Sequence, residues 1–490
     1  MIIQLLQILL VPLAFVFITY FAGLRWGRRA GWLAFLSLAY STLLTLFAGF
    51  RGGLIEYYEW SPIGLFGLNA DGLSIPILFT IALLCALISI YSMSYMTHTI
   101  GEDKSQFGLY YALLLLYSVG MMGAVLATNL IEFYLFFELM LIPSYFLIAK
   151  WGSGDRDKIS FMYFLWTHIG ALAFFAGILS VGYFSGSFDL QTILTSSIPE
   201  DLRLLIVGLM VVGLLVKMAA FGLHIWLPHA HAEAPTPISA LLSPAMIGIG
   251  GYAIVRIVMN VLPSAFLEIS TVLTVWAVVT MLYGGAMALV QDDIKRLLAY
   301  SSISQMGYIL LGVASFQTLG VSGAMFQYVT HGLGKGILFM VAGAIMIQAD
   351  GLRSIRKMGG LAAKMPITAT ATLIGFLTIM GIPPTTGFIS EFLIFAGSFH
   401  EAFQLNSMLR IALSSLGVVS TVLTAGYSLW AVRRIFFGPL PAELSNVKEA
   451  PWTMTAPILV LSVISIILGI FPDLIERLLL PAVKMIIGAG

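Results

Sequence analysis

Cysteine is almost missing. The 490 residues include one, Cys85, inside an apolar run, and a lone thiol can neither close an internal disulfide nor hold an iron–sulfur cluster. Charge is scarce too: Asp, Glu, Lys and Arg make up 10% of the chain, where soluble domains carry about a quarter. That excludes an ordinary soluble fold. The net charge is +1 and there is no basic or acidic tail, so no nucleic-acid partner is expected. A dinucleotide-binding fingerprint, a phosphate-binding P-loop, a cysteine cluster and a paired-histidine haem pattern are all lacking. The chain itself is therefore expected to do no redox chemistry and to bind no cofactor.

What it has in abundance is apolar sequence, 59% of residues with a mean hydropathy of +0.99, the composition of a multi-pass membrane protein. The first run, MIIQLLQILLVPLAFVFITYFAG, is longer than a signal-peptide core and its arginines follow it, so it is expected to be a retained span. Marking apolar stretches along the chain predicts an all-α polytopic membrane protein with about 14 transmembrane helices. Three stretches, 203–237, 317–348 and 367–398, are too long for one straight crossing and carry glycine, proline or polar residues near their middles. They predict interrupted helices 7, 11 and 12.

Basic residues test the count. Sixteen of the 24 lysines and arginines, among them Arg25, Lys104, Lys150, Lys295, Arg353, Arg433 and Lys448, follow odd-numbered spans. The positive-inside rule then places both termini outside the cytoplasm. Interrupted spans stand fourth in two five-span groups. Five being odd, the groups would lie in opposite orientations, which is the inverted-repeat plan of many transporters. The expected organisation is a three-helix region 1–107, a first repeat 108–262, a second repeat 266–437 and a C-terminal helix with tail 438–490.

Four ionisable residues fall inside the apolar pattern: Glu138, Lys217, Lys335 and Glu391. A lone lysine at a helix centre costs roughly 2.5–3.5 kcal/mol on insertion scales, so such groups usually face a wet or protein interior and serve transport. Static readings compete with that one. Glu138 and Lys217 could merely lock two helices together, Lys335 could hydrogen-bond carbonyls freed by a broken helix, and Glu391 could cap amides after the Pro-Pro break. His224, His229, His231 and Glu233 invite a zinc reading, but His-x-x-x-x-His-x-His is not a standard ligand spacing, so no metal is expected. His168 is either a relay beside Glu138 or a hydrogen-bonded core imidazole. Glu132 is read as a solvated carboxylate at a helix N-terminus, and Asp71, Asp292, Lys295 and Arg296 as boundary charges.

Five segments then carry a resemblance: NADGLSIPIL at 69–78, NLIEFYLFFELMLIP at 129–143, HIWLPHAHAEAPTPISALLS at 224–243, QDDIKRLLAYSSISQMGYI at 291–309 and GIPPTTGFISEFLIF at 381–395. Together they resemble the antiporter-like membrane subunits of respiratory complex I (chain M type), multisubunit sodium/proton antiporters and membrane-bound hydrogenase-type complexes. The resemblance implies a proton-translocating, complex I-like subunit of a redox-driven oxidoreductase complex in a prokaryotic cell membrane. Its partners would be other antiporter-like and small membrane subunits, redox subunits of the iron–sulfur or hydrogenase type, and the lipid bilayer.

The same resemblance implies roles. Glu138 and Lys217 match the family's coupled pair, His331 and Lys335 its His-x-x-x-Lys on the eleventh helix, and Glu391 its exit residue. Where many members carry a lysine in the eighth span this chain has Gly248, so His331 and Lys335 are expected to take the central place, with Ser243 as a possible bridge. The expected route runs from Lys217, the histidines at 224, 229 and 231, and Glu138, through His331 and Lys335, to Glu391. A sodium/proton antiporter subunit is the alternative. A scaffold that has lost transport is disfavoured by retention of the four charges, and a quinone-reducing enzyme by the lack of a redox centre.

Overall fold

The computed structural model describes residues 4–196 and 198–488. Helices α1 (Leu6–Trp26) and α2 (Gly31–Phe50) lead into a hairpin, β1 (Leu54–Trp60) and β2 (Gly64–Ala70), paired antiparallel from Leu54↔Ala70 to Trp60↔Gly64. Then come α3 (Ser74–Ile100), α4 (Lys104–Leu126), α5 (Leu130–Leu139), α6 (Leu141–Trp151), α7 (Arg156–Ser185), α8 (Leu190–Ile193), α9 (Glu200–Lys217), α10 (Trp226–Glu233), α11 (Thr236–Leu241) and α12 (Ile249–Ala253). The second half holds α13 (Pro263–Leu289), α14 (Ile294–Ala314), α15 (Thr318–Gln348), α16 (Pro366–Ile379), α17 (Thr386–Gln404), α18 (Met408–Phe436), α19 (Trp452–Ile470) and α20 (Asp473–Ile487). Among the described residues eleven helical segments are long and apolar enough to cross a membrane. One of them, Leu6–Phe50, contains two helices, α1 and α2.

Local chemistry sets the boundaries. Asn129 caps α5 by accepting from the Ile131 amide at 2.9 Å, and Asp293 caps α14 by accepting from Lys295 at 2.8 Å. Pro263 and Pro366 open α13 and α16, where the missing N–H costs nothing. Pro143 cannot donate to the carbonyl four residues back, and the fifth span is divided just before it, at Met140. This division was not expected from the sequence.

The break after α9 is held by indoles. Ala219 and Gly222 take positive φ, 53° and 83°, and the chain unwinds until α10. Indole N–H groups of Trp226, Trp276 and Trp166 donate to the carbonyls of Val216, Phe221 and Leu223 at 3.0, 2.8 and 2.9 Å. Irregular backbone at membrane depth requires such partners, since lipid offers none. A second break separates α16 from α17, where Gln305 donates to the Ile379 carbonyl at 3.1 Å. The span from Thr236 to Met259 stays helical but contains two wide π turns, at 242–246 and 254–259.

Two expectations are corrected. Helix 11 is not interrupted: α15 runs unbroken for 31 residues. Its glycines serve close approach instead, since a Cβ at Gly332 would stand 2.5 Å from Thr80 and one at Gly336 2.7 Å from Leu84. The chain is also not purely α. The hairpin folds back on helix ends, with the Gly67 amide donating to Glu132 at 3.1 Å and the Leu65 amide to Asp189 at 3.1 Å.

Candidate functional site

Glu138 lies in the last turn of α5, and its partner is His168 on α7. Nδ1 of the imidazole stands 3.0 Å from Oε2, and the ring stacks on Phe164 at 5.6 Å between centroids. The other carboxylate oxygen, Oε1, is buried without a hydrogen-bond partner among the described residues. Lys217 does not touch Glu138. It ends α9, is 2% exposed, and sets its ammonium 4.8 Å from the centre of the Phe137 ring. No carboxylate within 4.0 Å pairs with it among the described residues. Glu138 and Lys217, the two residues of the expected coupled pair, thus make no direct ion-pair contact, and it is His168 that binds the carboxylate. A π face and the carbonyl end of a helix stabilise the ammonium instead.

The three histidines after the α9 break diverge. His224 accepts from the Gly222 amide through Nδ1 at 3.1 Å, so its Nε2 carries hydrogen and donates to the Tyr283 hydroxyl, also at 3.1 Å. His229 is exposed. His231 is wholly buried, stacked on Phe339 at 4.8 Å, with neither ring nitrogen bonded. Glu233 bonds Ser153 at 3.1 Å, and no group of three potential metal ligands forms among the described residues.

Lys295, read from the sequence as a boundary charge, is 1% exposed; its ammonium donates to the carbonyls of Ala232 and Ala234 at 3.3 and 2.5 Å. Those carbonyls lie where α10 ends at the Pro235 turn, a neighbourhood that sequence spacing does not reveal. Glu132 departs likewise. It is 1% exposed under the hairpin, not solvated.

At the middle of α15, Lys335 is fully buried, donating to the Ser301 hydroxyl and, at 3.2 Å, to the Leu298 carbonyl. His331 lies one turn earlier, 1% exposed, with Nε2 unbonded. Ser243 does not bridge them; its hydroxyl pairs with Ser302 at 2.7 Å. Gly248 has no room for a side chain, because a Cβ there would stand 2.5 Å from the Tyr328 ring, and the Tyr328 hydroxyl is tied to the Ala245 carbonyl at 2.5 Å.

Glu391 is 6% exposed in the second turn of α17, its Oε1 unpartnered. Gly381, at the break and with φ 67°, approaches it so closely that a Cβ would lie 2.5 Å from Oε2. A polar network that the sequence reading missed joins α14, α15 and α17 near these residues. Gln327 donates to Gln305, Ser390 donates to the Gln327 oxygen at 2.5 Å, and Thr330 meets Ser390 at 3.1 Å. Two glutamines in otherwise apolar runs were the available signal. Of the four further ion pairs among the described residues, two matter here: Arg256 with Asp71 at 2.6 Å, and Arg410 with Glu401, both members of the latter at or below 7% side-chain exposure. Burial by itself would raise the Asp71 carboxyl, but the Arg256 charge and its hydrogen bonds outweigh that and hold it at about 2.

Comparison with known proteins identifies the family. The family described as "NADH:quinone oxidoreductase/Mrp antiporter, TM" matches residues 127–424, and "NADH-Ubiquinone oxidoreductase (complex I), chain 5 N-terminus" matches 60–107. The chain is 32% identical over 486 residues to F(420)H(2) dehydrogenase subunit M of Methanosarcina mazei, covering 95% of this chain and 94% of that one. It is 30% identical to NADH-quinone oxidoreductase subunit M of Rhodobacter capsulatus over 71% of this chain and 69% of that one. A chain of respiratory complex I from Thermus thermophilus superposes with a TM-score of 0.88 at 27% identity, over 99% of both. A chain of the Mrp complex from Dietzia sp. DQ12-45-1b also reaches 0.88, at 23% identity, over 99% of this chain and 97% of that one; at that identity it shows a shared fold.

Proposed function

The chain belongs to the NADH:quinone oxidoreductase/Mrp antiporter membrane family, and from that membership we propose that it translocates protons as an antiporter-like subunit of a redox-driven membrane complex. Its partners are then the other antiporter-like chains and the redox subunits of that complex, in a prokaryotic cell membrane. One observation carries the reading. Lys217, His331, Lys335 and Glu391 are all within the protein interior, between 0% and 6% exposed, although none of the four has an ion-pair partner among the described residues. Structural charges at membrane depth are usually paired, and these are not.

Counting α1 and α2 separately, and adding the broken segments α9–α10 and α16–α17 to the remaining apolar spans, gives about fourteen crossings. With both termini outside, the repeats 108–262 and 266–437 are inverted copies, flanked by 1–107 and 438–490. The proton enters near Lys217, His224, His229 and His231, with Glu138 and His168 holding a second site. It passes by His331 and Lys335, with Ser301 as nearest hydroxyl, and leaves by Glu391. Water fills the intervals between stations, which is how buried unbonded polar atoms are ordinarily satisfied. The Gln305–Gln327–Ser390 network orients the last interval.

The test is redox-driven acidification in proteoliposomes containing the purified complex. Glu138→Gln should leave assembly and electron transfer intact and abolish acidification; normal pumping would end the proposal. The Mrp-like fold favours one second reading, a subunit of a multisubunit cation/proton antiporter. Copurification separates the two: iron–sulfur or hydrogenase-like subunits mean a redox pump, small membrane subunits alone an exchanger.

A further inference from the structure

Beyond Glu391 the buried face of α17 continues as Ile394, Ser398 and Glu401, residues three or four apart and so stacked on one side of the helix. Ten residues separate the two glutamates, a rise of about 15 Å. One turn short of Glu401, the Ser398 hydroxyl meets that of Ser414 on α18 at 2.7 Å. At the far end Glu401 pairs with Arg410, which opens α18 and donates to the Ser270 and Thr271 hydroxyls of α13, both at 2.7 Å. Glu401 and Arg410 are 5% and 4% exposed, although Leu405 and Asn406 in the turn between their helices are exposed. Arg433 and Arg434 lie at the other end of α18.

From this geometry we propose that the Glu401–Arg410 pair is the outer gate of the exit route, Glu401 receiving the proton that Glu391 releases. The inference rests on the reading of Glu391 as the exit station. A proton moves from Glu391 to Glu401 by way of the Ser398 and Ser414 hydroxyls and intervening water. Each relay hydroxyl and water takes one proton as it gives up another, so the net change is that Glu391 becomes a carboxylate and Glu401 a neutral acid. Neutral Glu401 no longer holds the guanidinium, which keeps Ser270 and Thr271 as partners and swings from the carboxyl, opening the way out. When Glu401 loses its proton to the external solution, attraction to Arg410 closes the gap, so that inward leak meets a shut pair.

Three observations favour a gate over a strut. An ion pair that served only to fasten the turn would be as useful at the exposed loop, whereas this one lies on the Glu391 face and behind the surface. The carboxylate at the inner end of the column keeps Oε1 buried and without a hydrogen-bond partner among the described residues, which leaves it a bond to make. And the charged or titratable groups nearby are few. His400 is exposed and turned to Gln317 at 3.1 Å, Glu268 on α13 is exposed, and among the described residues Arg410 alone pairs with Glu401 within 4.0 Å.

The test uses the whole complex in proteoliposomes, measuring protons moved per electron and passive proton leak. Glu401→Gln should lower pumping at least tenfold with redox turnover retained, and Glu401→Asp should restore most of it. The neutral double variant Glu401→Gln with Arg410→Met, which removes both charges together and so avoids a stranded guanidinium, should also fail to pump and should leak. Normal pumping and no leak in either neutral variant overturns the gate. Glu391→Gln run in parallel keeps the two readings apart. If it pumps normally, the exit assignment itself fails; if it is inactive while Glu401→Gln pumps, only the gate is refuted.

Discussion

Replacing Lys335 by methionine separates a working charge from a structural one, because the two predict opposite signs for stability. The ammonium is fully buried, with the Ser301 hydroxyl and the Leu298 carbonyl as its only polar partners among the described residues. Placing a lysine at a helix centre costs about 2.5–3.5 kcal/mol on insertion scales. Methionine keeps much of the stem and drops the charge. Neither acceptor is orphaned, since Ser301 still donates to the Leu298 carbonyl at 2.9 Å and Ser302 does so at 2.8 Å. The two bonds to Lys335 offset part of the insertion cost, so the net change falls between about zero and 3 kcal/mol of stabilisation. Membrane complexes unfold irreversibly, so the readout is the apparent unfolding temperature at one fixed scan rate. We expect that temperature to hold or rise, redox turnover to persist, and protons moved per electron to fall at least tenfold. A lower unfolding temperature together with normal pumping would show that Lys335 braces α14 against α15, and the proposed route would lose its central station.

Lys217→Arg should impair pumping in the same assay, because a guanidinium does not release its proton; full activity would make Lys217 a fixed charge. Gly381→Ala should destabilise the α16–α17 break by roughly 2–4 kcal/mol, combining the cost of positive φ with overpacking against Glu391, and should reduce pumping; thermal inactivation rates check the first and acidification the second. Gly248→Lys should not rescue Lys335→Met, since its Cβ meets the tethered Tyr328 ring. Arg256→Met should destabilise by about 3 kcal/mol or more by stranding Asp71. The Asp71 carboxyl is held at about 2 against an ordinary 3.8, so its contribution to stability is complete above about pH 4 and is lost as pH falls toward 2. Proteolytic sensitivity of the hairpin below pH 4 reads this out.

The sequence by itself determined the class, most of the crossings and the identity of the ionisable residues. Apolar runs and charges inside them are local properties, and a lysine such as Lys217 or Lys335 stands out against lipid-like surroundings wherever the rest of the chain goes. Breaks at 218–225 and 380–385 were legible for the same reason, since prolines and glycines act on their own backbone. Only the tertiary structure decided partners. Glu138 bonds His168 thirty residues away, Lys217 meets a ring face, and Lys295 is buried against the end of α10, because those neighbours are set by helix packing and not by spacing along one helix. The continuity of α15 was hidden likewise. A glycine that breaks a helix and one that lets Thr80 approach it are the same letter, and what distinguishes them is the side chain on the opposite helix.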